Sequence, residues 1–423
     1  MMRMRWQKKV VLGYLLSACA FLWRRLLFRT TFIAVTGSAG KTTATDSLGA
    51  ILSAHAPTNW TPGGRNARRH LARTILRTRF WHRFAVIEVG TREPGALHRA
   101  SWMIAPDIAV VLTVLNIHSN AFPTLEAMAA EKAQLLGRLG KGGCAILNAD
   151  DPRVLAMQAG CRGPVRTFGR APECYLNATE VSAKWPGRLG FRVRCGGQAQ
   201  WVETNFVGEQ LLPSALAALT VAVHCGVPLE RAAARFRDIQ PVPGRMQPMV
   251  LGNGATVLRD EFNPSLPTLE AALDVLRDAG VARRVVIVGD ILDTGLTTGP
   301  RFRDIGRRVR RAADMAVFVG PESRISARAA IVAGMEPQSA LAFRTLPEAS
   351  AFLKTELRAG DLVLVHGWSG RHIERVILGQ LGTVSCGKER CRKLIQCDKC
   401  PELGLKPDVL TVLTCPGTPC PQQ

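Results

Sequence analysis

Between Thr36 and Thr43 the chain reads TGSAGKTT, with the apolar run FIAV before it and the helix-like stretch ATDSLGAILSAHA after it. Glycines at 37 and 40 admit a tight turn and let backbone N–H groups approach an anion closely. Lys41 is spaced to reach the outer phosphates of a nucleotide, and the Thr42 hydroxyl to hold Mg2+. The helix N-terminus adds its partial positive charge, and Ser38, Ala39 and Thr43 complete the cradle. The full P-loop pattern asks for a further glycine upstream, where an apolar strand residue stands. The alternative is an ordinary strand–turn–helix junction. A phosphate loop also needs metal ligands at neighbouring strand ends. Glu88 ends FAVIEVG and His118 follows VLTVLNI, so in a parallel sheet both emerge at the edge that carries Lys41. Lys132, in LEAMAAEKAQLL, reads by itself as a solvated helix lysine.

The elements around these residues alternate strand-like and helix-like runs, which predicts an α/β fold with a mainly parallel sheet. FAVIEVG, IAVVLTVL and GCAILNA are strand candidates bounded by Gly, Pro, Asn or Asp. GRLGFRVRCGGQAQWVETNF alternates as antiparallel strands do. LLPSALAALTVAVHCG reads as a helix capped near Ser214 and stopped at Gly226. IQPVPGRMQPM, with three prolines and a glycine, marks a linker. Beyond it ATVLRDEF, RVVIVGD, MAVFVG and DLVLVHG build a second α/β unit. The expected organisation is a basic and apolar N-terminal segment (1–30), a central P-loop, ATP-binding domain (31–240), a smaller Rossmann-like C-terminal domain (241–380) and a Cys-rich tail (381–423).

That tail holds six of the twelve cysteines, including one Cys-x-x-Cys pair, Cys397 and Cys400. Thiolates at this spacing suit Zn2+; a redox-labile tail is the alternative. The remaining cysteines are scattered through apparent core, which suggests a reducing compartment without a disulfide framework.

At 423 residues, 47% hydrophobic, the chain can build two or three real cores. Its 55 lysines and arginines against 33 acids give a formal charge of +22. Such a charge favours anionic partners: nucleotides, phosphorylated lipids, nucleic acid or an acidic membrane face. Aromatics are only 6% and do not interleave with the basic residues as a base-stacking surface would. Nucleic acid is therefore the weakest of these readings. At the N-terminus, MMRMRWQKK is basic, VVLGYLLSACAFLW apolar and RRLLFR basic again. The apolar run falls short of the roughly 20 residues that span a bilayer. A secretory signal peptide shares this outline, but Phe32 begins the loop strand almost at once, and an exported ATP site would lack its ligand. The segment reads as an interfacial helix on a membrane surface, with packing on the protein itself as the alternative. The expected location is cytoplasmic, or the inner face of the membrane.

Taken in order, TGSAGKTT, VIEVG, PDIAVVLTVLNIH, LEAMAAEKAQLL, AILNADD, PVPGRMQ, RDEFNPSLPTLEAALDVL, VIVGDILDTG and DLVLVHG resemble the motifs of the Mur ligases. The resemblance runs from about Phe32 to Val376 and is greatest to the MurF branch, which adds D-alanyl-D-alanine to a UDP-muramoyl peptide. It implies an ATP-dependent ligase joining a small-molecule or peptide carboxylate to an amino-acid or dipeptide amine through an acyl phosphate. It further implies that Lys41 and Thr42 bind phosphates and a first Mg2+ with Glu88, and that His118 serves a second metal. Lys132 matches the lysine the family carbamylates, turning a cation into a metal-serving anion. Asn148 and Asp150 match the stretch at the nucleotide, Arg245 the residue that reaches the γ-phosphate on domain closure, and Asp260 and Asn263 a segment facing ATP.

The chain also departs from the family pattern. Only some thirty residues precede the loop strand, in place of the family's UDP-binding domain. Arg68, Arg69 and His70 stand where an apolar run is usual, Arg259 where a second Asp is usual, and His366 where Lys is common. A hydrophobic start followed directly by the ATPase core is similar to the poly-γ-glutamate synthases, so a ligase acting on another carboxylate at the membrane is the runner-up. A catalytically weak nucleotide-binding partner subunit is the reading from another class.

Overall fold

The continuous apolar runs become buried parallel strands, as expected of a sheet covered by helices on both faces. The computed structural model describes residues 2–140, 142–291, 295–368, 370–391, 393 and 395–405. They form two compact units, the first mainly residues up to Gln240 and the second mainly residues from Pro241 onward.

The first unit contains β1 (Thr31–Thr36), β2 (Thr58–Trp60), β3 (Phe84–Glu88), β4 (Ile108–Val111), β5 (Cys144–Asn148), β6 (Val165–Gly169), β7 (Leu176–Ser182), β8 (Gly190–Cys195) and β9 (Gln198–Glu203). They make one sheet in the order β2-β3-β1-β4-β5-β6-β7-β8-β9. Pairing is parallel as far as β7 and antiparallel from β7 through β9. Gly196 and Gly197 take the positive φ angles (55° and 79°) that the two-residue β8–β9 turn requires. The helices are α1 (Met2–Leu26), α2 (Lys41–Ser53), α3 (Arg68–Arg77), α4 (Ala96–Ile104), α5 (Leu125–Ala133), α6 (Pro152–Ala156), α7 (Leu212–His224) and α8 (Leu229–Ala234). Phe32, Ala34, Ile87, Ala109 and Leu147 from the sheet pack with Leu71, Ile75, Leu97 and Met128 from the helices.

Among the described residues no helix is long and apolar enough to cross a membrane. The C-terminal part of α1 packs on its own unit, the second of the two sequence readings. Ala20 and Leu27 are buried, and Trp23 Nε1 donates to Thr78 O (2.9 Å). Arg24 donates to Ile104 O (2.7 Å) and pairs with Asp107 (3.1 Å). The opposite face of α1 leaves Tyr14, Leu15, Leu22 and Leu26 exposed.

The second unit contains β10 (Gln247–Val250), β11 (Thr256–Arg259), β12 (Arg283–Val288), β13 (Met315–Val319), β14 (Ala340–Phe343) and β15 (Asp361–His366), ordered β10-β11-β15-β12-β13-β14. Only β10 is antiparallel to its neighbour. Its helices are α9 (Leu266–Arg277), α10 (Thr298–Arg310), α11 (Ser323–Val332), α12 (Leu346–Glu356) and α13 (Glu374–Leu381). The stretches SLPT and TLPE start α9 and α12 for a local reason. Ser265 and Thr345 each form a capping box with the residue three positions on, and a proline follows in the first turn.

Candidate active site

In the first unit β1 lies between β3 and β4, with Val35 paired to Glu88 and Thr36 to Val111. All three strands end at one edge, and the loops leaving that edge carry the candidate residues. The turn after β1 is held by the β4 loop. Ser38 N donates to Thr113 O (2.8 Å), Ala39 N to Thr113 Oγ1 (3.2 Å), and Leu115 N to Ser38 Oγ (2.9 Å). Gly40 adopts φ 77°. A Cβ would stand 2.8 Å from Leu112 Cβ at Gly37 and 2.4 Å from Ser214 Oγ at Gly40. Neither position therefore accepts a side chain without movement.

Ser214 does not cap its own helix, contrary to the sequence reading. Leu211 occupies the cap, and the Ser214 hydroxyl donates instead to Gly40 O (3.1 Å), bracing the loop from α7. Lys41 Nζ donates to Gly37 O (2.7 Å) and Ser38 O (3.3 Å). Thr42 and Thr43 are buried in the first turn of α2.

Glu88 is 1% exposed. Its Oε1 accepts from Asn66 Nδ2 (2.7 Å), and its Oε2 has no hydrogen-bond partner among the described residues. His118 is half-buried in the loop after β4. It holds a left-handed φ of 57°, uncommon for a side-chain-bearing residue, and its carbonyl accepts from Ala121 N and Phe122 N.

Lys132 is fully buried in α5, and its Nζ has no hydrogen-bond partner among the described residues. This overturns the solvated-lysine reading. Burial, and then the ammonium of Lys41, push the Lys132 amine well below the usual lysine range, while Glu131 pulls the other way. Glu131 itself, which the sequence did not single out, accepts from Gly95 N and Leu97 N (2.8 Å each) at the start of α4. Asn148 is buried and donates to Leu112 O (2.8 Å), tying β5 to the β4 loop. Asp150 is exposed, with Oδ1 accepting from Arg170 N (2.8 Å).

Arg245, Asp260 and Asn263 belong to the second unit, where they form a separate group. The Arg245 guanidinium lies 4.7 Å from the Phe262 ring centroid. Asp260 accepts from Met246 N (3.2 Å) and pairs with the buried His366 (3.0 Å). Asn263 is exposed. The same unit contains a cavity of about 330 Å³ at the C-terminal ends of β12, β13 and β14, with Asp290, Arg344, Lys354, Trp368, Arg371 and Lys388 among its walls. Its cations outnumber its carboxylates, which suits a ligand carrying a carboxylate.

A glycine-framed turn carrying Lys41 at the edge of a parallel sheet, with a second Rossmann-like unit following in the chain, fits a nucleotide-using α/β enzyme. Residues 35–222 match the Mur ligase middle domain and residues 244–368 the Mur ligase, glutamate ligase domain. The chain is 28% identical over 380 residues to the UDP-N-acetylmuramoyl-tripeptide--D-alanyl-D-alanine ligase of Mycobacterium bovis, covering 85% of this chain and 74% of that one. It is also 28% identical over 304 residues to the ligase of that name from Escherichia coli K12, covering 71% and 67%. Among solved structures, MurF from Acinetobacter baumannii superposes with a TM-score of 0.79 at 25% identity, over 87% of this chain and 80% of that one. MurF from Thermotoga maritima, in complex with ADP, superposes with a TM-score of 0.76 over 87% and 83%; at 21% identity it shows the fold alone. The chain belongs to the Mur ligase family. It is by class an ATP-dependent acid–amino-acid ligase.

Proposed function

We propose that the chain joins a peptide carboxylate, in the MurF manner that of a nucleotide-linked muramoyl peptide, to D-alanyl-D-alanine or a related amine in cell-wall synthesis. A carboxylate is a poor acyl donor, and ATP supplies the phosphoryl group that converts it to an acyl phosphate for the amine to attack. The chain's own part is to hold and orient charged groups. Lys41 and the N–H groups of residues 37–43 cradle the phosphates. Thr42 and the unpartnered Oε2 of Glu88 fit Mg2+, a hard cation that takes oxygen ligands. His118 and Lys132 would hold a second Mg2+. Burial favours the neutral form of the Lys132 amine, the form that reacts with CO2, and carbamylation would supply the oxygen anion a metal requires. Asn148 and Asp150 would shape the nucleotide end, and Arg245, Asp260 and Asn263 are the remaining candidates for binding ATP. The carboxylate of the amine substrate fits the basic wall of the 330 Å³ cavity.

The observation that carries this reading is the turn after β1, in which a Cβ at Gly37 or Gly40 would meet its neighbours around Lys41. It is tested by measuring phosphate release with pairs of carboxylate and amine substrates and identifying products by mass. Product containing D-alanyl-D-alanine is the expected outcome. Release only with glutamate-type pairs supports the poly-γ-glutamate-like reading, which the basic cluster of Arg65, Arg69 and Arg73 around His70 favours. Silence with every pair would leave only the partner-subunit reading.

The exposed apolar face of α1 supports a second element of the proposal, a cytoplasmic enzyme resting on the inner membrane face. Flotation with anionic vesicles tests it. The full chain is expected to float, and Leu15→Glu with Leu22→Glu to abolish flotation.

A further inference from the structure

The second unit buries a group of metal-ligating and charged side chains that ligase chemistry leaves unused. Arg259 donates to Glu261 Oε1 (2.6 and 3.0 Å) and to Asp398 Oδ2 (3.1 Å). The Nδ1 of His372 lies 2.7 Å from Glu374 Oε1, which also accepts from Cys397 N (3.3 Å). His372, Glu374 and Cys397 are 5%, 3% and 7% exposed. One ring nitrogen of His372, one oxygen of Glu374 and the Sγ of Cys397 all lie within 4.8 Å of one another.

This group is incompletely satisfied. His372 Nε2, Glu374 Oε2, Glu261 Oε2 and Asp398 Oδ1 are buried with no hydrogen-bond partner among the described residues. Such atoms are costly to leave without a partner. Three carboxylates, Glu261, Glu374 and Asp398, face the guanidinium of Arg259. The neighbouring Arg375 directs its donors to the carbonyls of Arg371, His372, Cys386 and Lys388 and to Cys386 Sγ. A bound cation would balance the group, and an imidazole, a carboxylate and a thiolate are a donor set suited to zinc.

We propose that His372, Glu374 and Cys397 bind one zinc-class divalent ion, with a fourth ligand from Cys391 or Cys400. Both thiols line the same cavity as His372 and Cys397, a space of about 10 Å³ suited to a single ion. Zinc–sulfur and zinc–nitrogen bonds of about 2.3 and 2.0 Å set tetrahedral ligands roughly 3.5 Å apart, so the three atoms draw in by about 1 Å on binding. Burial and the Glu374 carboxylate hold the Cys397 thiol protonated, and metal binding releases that proton to solvent. The ion would fasten the Cys-rich tail to α13. The sequence pointed to Cys397 and Cys400 for zinc but had no means of adding His372 and Glu374. Cys415 and Cys420 lie outside the described residues.

The test uses the full chain, purified without a polyhistidine tag or chelator, with zinc measured by mass spectrometry. About one zinc per chain is expected. Chain stripped with EDTA and titrated with Co2+ should develop a near-ultraviolet thiolate-to-cobalt absorption. Cys397→Ser and His372→Gln should each lower metal content at least tenfold, and Cys397→Ser should remove or sharply weaken the cobalt absorption. Cys19→Ser, on the exposed face of α1, should change neither. Circular dichroism establishes that each variant is folded. A wild-type chain that holds neither metal overturns the proposal without reference to any variant. A folded Cys397→Ser chain with undiminished zinc and cobalt absorption overturns it too.

Discussion

Among the described residues each unit contains one cation that is buried almost completely, Lys132 in the first and Arg259 in the second, and the two are treated in opposite ways. In the second unit Arg259, 1% exposed, is held by Glu261 and Asp398 on three hydrogen bonds. In the first unit Lys132, equally buried, has no hydrogen-bond partner for its Nζ among the described residues, and its pKa is driven down. A paired buried ion serves the fold, because removing its partner strands a charge in low dielectric. An unpaired amine does the fold no service. Its retention in the α5 core, near Lys41, is the ground on which we propose a functional role for it. Arg259 also accounts for one departure from the family pattern: the arginine that replaces an aspartate is answered by Asp398, from the tail.

The contrast can be broken from either side. Lys132→Met should reduce phosphate release by about 10³-fold or more, as expected when an electrostatic group at a transferring phosphoryl is lost. The same change should hold or raise the melting temperature, because an apolar side chain of similar volume replaces an unsatisfied amine. A large fall in melting temperature would make Lys132 structural. Arg259→Met should do the reverse on stability, costing about 3–5 kcal/mol in denaturant unfolding by leaving Glu261 and Asp398 unpaired. An unchanged midpoint would show that the network contributes nothing to the fold. Asn66→Ala is the finest probe. It frees Glu88 Oε1 and should lower the rate about tenfold and weaken the Mg2+ dependence, as loss of a residue orienting a metal ligand does. Folding should be nearly unaffected.

Much of this was legible along the chain. Apolar runs bounded by turn residues located the parallel strands, and GSAGKTT located the turn between β1 and α2, because both are local patterns. The burial of Lys132 was not legible, since α5 carries LEAMAAEKAQLL with no clean polar face, and neighbouring Glu131 turns out to cap α4. Ser214 was misread for a related reason. A serine near a helix start has a local explanation, and its real partner, Gly40 O, lies 174 residues away. Arg259 and Asp398 are 139 residues apart, and no periodicity reports such a pairing.

The most direct test of the central claim, that the cradle around Lys41 binds the ATP used to activate a carboxylate, compares wild type with Lys41→Ala. Phosphate release is measured with a muramoyl peptide and D-alanyl-D-alanine, alongside melting temperature. Release should be abolished in Lys41→Ala while its melting temperature stays within about 2–4 °C of wild type, equivalent to 1 kcal/mol or less. Undiminished release by the folded variant would contradict the account.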